Sequence, residues 1–113
     1  MYEDINIPSS VKKQFDISGQ TAVITGGAGF LGVQFAETIS EMGGIPLIID
    51  INEKLLKSAE DKLKNFGCKQ YYSYLVDITD EKECKKIFNK IWDNFSAIDI
   101  LINSVALTNE GIA

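Results

Sequence analysis

The stretch TGGAGFLG, Thr25 to Gly32, places four glycines in eight residues between an apolar run and an amphipathic one. It is either a flexible turn or a cradle for phosphate, and its flanks decide between the two. Before it, GQTAVIT (Gly19 to Thr25) is a short apolar run bounded by glycines, which predicts a buried strand. After it, Leu31, Phe35, Ile39 and Met42 recur at spacings of four, four and three, which puts them on one face of a helix that Gly43-Gly44 closes. Gly27-Ala28-Gly29-Phe30-Leu31-Gly32 thus satisfies G-x-G-x-x-G between a strand and a helix. Asp50 ends the next apolar run, 18 residues beyond Gly32.

The chemistry explains the residue types. Glycine supplies the positive φ that a tight turn needs, and its missing Cβ lets the backbone approach a pyrophosphate. N–H groups at the helix start, with a partial charge of about +0.5, attract phosphate. The pattern therefore predicts a dinucleotide pyrophosphate site. A nucleoside-triphosphatase loop is the competing reading, since Gly27 and Gly32 have G-x-x-x-x-G spacing. It fails because Val33-Gln34 stand where a Lys and a Ser or Thr are required.

Farther along, IPLIID (Ile45 to Asp50) predicts a second strand, expected to start late because Pro46 cannot donate to a ladder. Asn52 is placed to cap a helix with Leu55, Ala59, Leu63 and Phe66 on one face and Gly67 at its end. YYSYLVD, Tyr71 to Asp77, is aromatic and β-branched and predicts a third strand. Asp80 and Glu83 have capping-box spacing ahead of the stripe Cys84, Ile87, Phe88, Ile91 and Phe95, a third helix. AIDILINSVA, Ala97 to Ala106, predicts a fourth strand running into a loop. Alternating strands and helices imply an α/β fold with a parallel sheet and right-handed crossovers.

Composition removes several functions. With 113 residues, 45% hydrophobic and 24% charged, the chain reads as one globular domain. It carries a net charge of −5, and all eleven of its cationic side chains are Lys. Lacking Arg and a basic surface, it is not expected to bind nucleic acid. Lacking His, it has no imidazole base and no His metal ligand, and no metal site is expected. The N-terminus MYEDINIPSSVKK has no apolar signal region, and no run is long enough for a membrane span, so a cytoplasmic location is expected. Cys68 and Cys84 read as buried thiols without chemistry.

Asp50 has two readings, a plain strand-end turn residue or a cofactor reader. In the second it accepts hydrogen bonds from the adenosine ribose hydroxyls and repels a 2′-phosphate. No basic residue sits in the glycine turn or at Ile51 or Asn52 to hold that phosphate, so NAD is favoured over NADP.

Four pieces now stand in order: TGGAGFLG in the first turn, Asp50 after strand two, LVDITD after strand three, and LINSVA after strand four. Through them the sequence resembles the short-chain dehydrogenase/reductase family from Phe15 to about Ala106. The resemblance implies a Rossmann-type, doubly wound parallel sheet, here about its first four strands and three helices. Residues 1–18 then form an N-terminal arm, and 19–113 a partial NAD(P)-binding domain that stops before the catalytic segment. It also implies that the turn from Gly26 to Gly32 holds the pyrophosphate, with backbone groups of Ala28, Gly29, Phe30 and Leu31 near the phosphates and ribose. Asp50 and Ile51 fall at the adenosine ribose, Asp77 and Ile78 at the adenine edge, and Asn103, Ser104 and Val105 beside the adjoining ribose. Asp77 also reads as an ordinary strand-end acid, and Asn103 as a loop residue satisfying nearby backbone.

Two departures mark this chain. The spacing T-G-x-x-G-x-x-G looks like the extended branch of the family, whereas Asn103-Ser104-Val105-Ala106 and the leading FDISGQTAVITGG look like the compact branch. Val105 adds bulk where the compact motif has Ala.

The family moves a hydride between nicotinamide and a carbonyl or alcohol, using a Tyr whose pKa is lowered by a Lys four residues later. Here Tyr2 is followed at that spacing by Asn6, Tyr71 by Leu75, Tyr72 by Val76 and Tyr74 by Ile78, so the pair is absent. The three clustered tyrosines read as strand packing. The chain alone is accordingly expected to be inactive, with no catalytic residue of its own. Ending at EGIA, it is expected to be the N-terminal part of a longer NAD-dependent oxidoreductase, homo-oligomeric at full length. The substrate would be a sugar, polyol, hydroxy acid or acyl-thioester. The alternative is a stand-alone, non-catalytic dinucleotide-binding module or partner subunit.

Overall fold

β1 (Thr21–Thr25) is buried along its whole length at the centre of a four-stranded parallel sheet in the computed structural model, which describes residues 10–105. Around it the chain runs α1 (Val11–Gln14), β1, α2 (Phe30–Glu41), β2 (Ile45–Asp50), α3 (Glu53–Phe66), β3 (Tyr72–Leu75), α4 (Glu81–Phe95) and β4 (Ile100–Asn103). The strand order is β3-β2-β1-β4, all neighbours parallel, which is the Rossmann-type arrangement.

The sheet is covered on both faces. On one, Ile24 and Ile48 pack with Val33 and Ala36 of α2 and with Leu56, Ala59 and Leu63 of α3. On the other, Val23, Leu47 and Ile49 pack with Val76 and with Ile87 and Ile91 of α4. A strand buried on both faces has no polar side, which is why β1 and β2 are continuous apolar runs rather than alternating ones.

β2 includes Pro46, contrary to the late start expected for it. The Ile45 N–H donates to Gln20 O at 2.8 Å on the β1 side, so the next residue faces the β3 side. There β3 begins pairing only at Leu47↔Tyr72, and no ladder bond is lost at Pro46.

The helix faces also differ from expectation. α2 buries Gly32, Val33 and Ala36, while Leu31 and Met42 of the expected stripe are 55% and 48% exposed. Close approach decides this: a Cβ added at Gly32 would stand 2.6 Å from Gly27 Cα, so the side that carries Gly32 must face the turn and sheet. In α3 the inward residues are Leu56, Ala59 and Leu63, with Leu55 and Phe66 exposed. Its caps follow expectation, Asn52 Oδ1 accepting from the Leu55 N–H at 3.0 Å and Gly67 closing the helix in the left-handed conformation.

At α4, Asp80 Oδ1 accepts from the N–H groups of Lys82 and Glu83 at 2.9 and 3.3 Å. The Asp80 N–H itself goes to Asp77 O at 3.1 Å, so the reciprocal half of the capping box is not made. Ile87 and Ile91 of the predicted stripe are buried, and Phe88 and Phe95 pack beside them. Cys68 is buried, whereas Cys84 is half-buried and donates to Ile78 O at 3.2 Å.

The strands are shorter than the sequence suggests, β3 covering Tyr72–Leu75 and β4 Ile100–Asn103. Ala106, the expected end of strand four, lies outside the described residues. The tyrosines do pack. Tyr72 meets Phe95 edge to face with centroids 5.0 Å apart, Tyr71 borders the α2/α3 core, and Tyr74 borders the α4 core. Burial, followed by the neighbouring Tyr72, pushes the Tyr74 hydroxyl above the usual phenol range, the reverse of a poised base. One element was missed, α1, a single turn that Ser10 caps by accepting from the Lys13 N–H. No helix among the described residues is long and apolar enough to cross a membrane.

Candidate functional site

The chain leaves β1 for β2 on one side, and returns on the other side as β4, so the carboxyl ends of β1 and β4 diverge at a topological switch point. A cleft of about 590 Å³ opens there. Four segments line it, Gly26 and Gly29 to Leu31 from the turn, Ile49 to Asn52 from the end of β2, Val76 to Thr79 after β3, and Ser104-Val105 after β4, with Leu55 of α3 beside them.

The turn is built from short hydrogen bonds. The Gly27 N–H donates to Ile49 O at 3.0 Å, the Ala28 N–H to Asp50 Oδ2 at 3.2 Å, and the Gly29 N–H to Gly26 O at 3.1 Å. Gly26 adopts φ +66°, and a Cβ there would stand 2.9 Å from the carbonyl of Ser104. Only glycine lets β4's end lie this close. Gly29 is the N-cap of α2 and has no side chain to cap it, and the helix carries no acidic residue in its first turn. The N–H groups of Phe30 and Leu31 consequently have no intrahelical acceptor, and both residues line the cleft. A helix start in this state is suited to an anion.

Of the sequence-predicted residues, Gly26, Gly29, Phe30, Leu31, Asp50, Ile51, Asp77, Ile78, Ser104 and Val105 line the cleft together. Ala28, Gly32 and Asn103 do not. Ala28 is buried behind the turn, with its N–H held by Asp50 rather than free for phosphate. Gly32 is buried against Gly27. Asn103 ends β4, and its Oδ1 accepts from Thr25 Oγ1 at 3.0 Å, a side-chain bond that ties β4 to β1 rather than one that satisfies backbone.

Sequence reasoning missed Ile49, Asn52, Leu55, Val76 and Thr79 as cleft residues. Leu55 shares its expected helix face with Ala59 and Leu63, yet it lies a turn from the cap and lines the cleft. Thr79 had a readable signal, the D-x-T spacing of an Asx-type turn. The Thr79 hydroxyl and N–H both donate to Asp77 Oδ1, at 2.6 and 2.9 Å. These bonds, the hydroxyl's first, hold the Asp77 carboxyl below the usual carboxylate range.

Among the described residues the lining carries two acids, Asp50 and Asp77, and no cationic side chain. No Tyr among the described residues lines it. The cleft presents uncapped N–H groups suited to an anion, a carboxylate suited to hydroxyl groups, and an apolar wall of Ile51, Leu55, Val76 and Ile78 suited to a flat ring.

These features define a Rossmann-type α/β unit with its cleft at the carboxyl ends of the strands. The chain belongs to the short chain dehydrogenase family, whose model matches residues 20–113. A curated relative, the short chain dehydrogenase/reductase dpmpG of Macrophomina phaseolina, is 33% identical over 92 residues, covering 81% of this chain and 53% of its own length. The chain spans 33% and 37% of two further relatives. Among solved structures, 2-keto-3-deoxy-D-gluconate dehydrogenase from Streptococcus agalactiae superposes with a TM-score of 0.80 at 27% identity, over 88% of this chain and 37% of that one. An NAD+-bound xylitol dehydrogenase gives 0.69 at 27% identity, over 75% and 32%. An NADPH-dependent 3-quinuclidinone reductase from Rhodotorula rubra gives 0.71 at 25% identity, over 94% and 44%. Solved neighbours thus include users of both nicotinamide cofactors.

Proposed function

We propose that this chain is the cofactor-binding portion of an oxidoreductase that moves a hydride between a nicotinamide dinucleotide and a carbonyl or alcohol, with NAD preferred over NADP. The observation that carries the reading is the pairing of the uncapped α2 start at Phe30-Leu31 with the Asp50 carboxylate across one cleft free of cationic side chains. A pyrophosphate suits the first and ribose hydroxyls the second, whereas a 2′-phosphate beside Asp50 would meet like charge and no Lys. Bound nicotinamide would supply the hydride chemistry. This chain's residues bind and orient, since no Tyr with a Lys four residues later exists in it to move the proton.

Reading the chain as a portion rather than a self-sufficient module is supported by β4. Among the described residues no strand pairs with its outer edge, where Leu101 is 54% exposed without Lys, Pro or bulge to guard it. The substrate class, sugar, polyol, hydroxy acid or acyl-thioester, belongs to residues outside this cleft, and the complete enzyme is proposed to be a cytoplasmic homo-oligomer. Titration of the 113-residue chain with NADH and NADPH, followed by nicotinamide fluorescence, tests the cofactor reading. NADH is expected to bind at least about tenfold more tightly, a difference of about 1.4 kcal/mol. Equal affinities would remove Asp50 as the discriminator, and no binding of either would remove the reading altogether.

A further inference from the structure

Asp50 is connected to more than the cleft. Its Oδ2 accepts from the Ala28 N–H at 3.2 Å and its Oδ1 from the Asn52 N–H at 3.0 Å. Its carbonyl accepts from the Val76 N–H at 3.0 Å, and the carbonyl of Ile49 beside it takes the Gly27 N–H at 3.0 Å. The end of β2 therefore joins the glycine turn, the cap of α3 and the end of β3. Within this junction the Asp50 carboxylate is the side chain that bridges the turn to the α3 cap.

We propose that Asp50 is a positioning residue of the glycine turn, fixing Ala28 and through it the aim of the Phe30 and Leu31 N–H groups, whether or not any hydroxyl is bound. Ala28 is buried, so its N–H, deprived of that oxygen, has little access to water as a replacement. Both tasks fit on one carboxylate. It offers about four lone-pair sites, two of which the backbone takes, leaving one on each oxygen for the two hydroxyls of a ribose. The inference rests on the dinucleotide reading of the cleft only for its second task. Its consequence is that nicotinamide preference cannot be retuned at Asp50 without loosening the phosphate seat.

The test compares Asp50→Ala with Asp50→Asn, two neutral variants that differ in keeping an oxygen at the end of the side chain. Two quantities are read: amide hydrogen exchange at Ala28 in the ligand-free chain, and affinity for ADP and for 2′,3′-dideoxy-ADP, which lacks the hydroxyls. Asp50→Ala is expected to speed Ala28 exchange by about tenfold, with Asp50→Asn, whose single oxygen serves one of the two N–H groups at a time, intermediate. Asp50→Ala is also expected to bind dideoxy-ADP at least about threefold more weakly than Asp50→Asn does. Should Asp50→Ala not fold, Asp50→Ser, whose oxygen is too near its backbone to reach Ala28, takes its place. Unchanged Ala28 exchange together with equal dideoxy-ADP affinities would make Asp50 a hydroxyl reader alone and overturn the proposal. Failure of ADP to bind the unaltered chain would instead overturn the dinucleotide reading, while Ala28 exchange still decides the positioning role.

Discussion

Replacing Gly26 by Ala separates two costs that the fold imposes on the glycine turn. Gly26 sits at φ +66°, where an L-residue pays about 1–2 kcal/mol. The added Cβ would also stand 2.9 Å from the carbonyl carbon and oxygen of Ser104 and 3.0 Å from Val105 Cγ2. Ser104 is not free to retreat, because its N–H is bonded to Thr25 O at 3.0 Å, so relief requires the end of β4 to shift. Crowding of this kind costs about 1–3 kcal/mol. The sum, about 2–5 kcal/mol, is a large part of the 5–15 kcal/mol typical of a domain and lowers Tm by about 10 °C or more.

Gly19 provides the control. It also has positive φ, +76°, but nothing lies within 4 Å of an added Cβ, so Gly19→Ala pays the conformational cost alone. Urea unfolding of both variants, with m-values checked for equality, isolates the packing difference. Gly26→Ala is expected to lose at least about 1 kcal/mol more than Gly19→Ala. Equal losses would refute the close approach of Ser104 and Val105 to the turn, and with it the shape of the cleft on the β4 side.

Two further outcomes follow from the core and from Asp77. Ile91→Ala removes a fully buried side chain of the α4 core and is expected to cost about 2–5 kcal/mol, whereas Trp92→Ala, next in sequence and more than half exposed, costs well under that; thermal melts compare them. Asp77 has a folded pKa below its unfolded one, so its stabilising contribution is full above the ordinary carboxylate pKa of about 3.9 and is lost as pH falls through the lower folded value. In Thr79→Val the larger of the two lowering bonds is gone, and carboxyl NMR is expected to find Asp77 titrating at higher pH. An unmoved titration would refute the hydroxyl as the main cause.

Local features were legible because their causes are local. β1 and β2 announce burial on both faces by unbroken apolar runs, Asn52 and Asp80 announce helix starts by their own side chains, and Gly67 announces a helix end. The glycine spacing and Asp50 could be placed at one cleft because the strand-helix alternation brings the carboxyl ends of the strands together. What stayed hidden depends on partners distant in sequence. The Asp50 bond to the Ala28 N–H spans 22 residues, and nothing in either segment says that the carboxylate will turn toward the backbone. Pro46 looked wrong for a strand because the sequence does not reveal that β3 starts one residue too late to need its N–H.

α2 is the most instructive case. Its periodicity correctly marks a helix but points to Leu31, Phe35 and Met42, while burial selects Gly32, Val33 and Ala36. An apolar stripe reports how much surface prefers to leave water, and contact geometry decides which side can come near a sheet. Here the small residues win the sheet, because the turn at Gly27 admits Gly32 and would reject a side chain in its place. The larger apolar residues are left on a second side of the same helix, and the pairing of β4 with β1 leaves Leu101 exposed at the sheet edge. α2 and β4 thus carry more apolar surface than this sheet buries. Among the described residues, that surplus supports the proposal that the chain is the cofactor-binding portion of a larger enzyme.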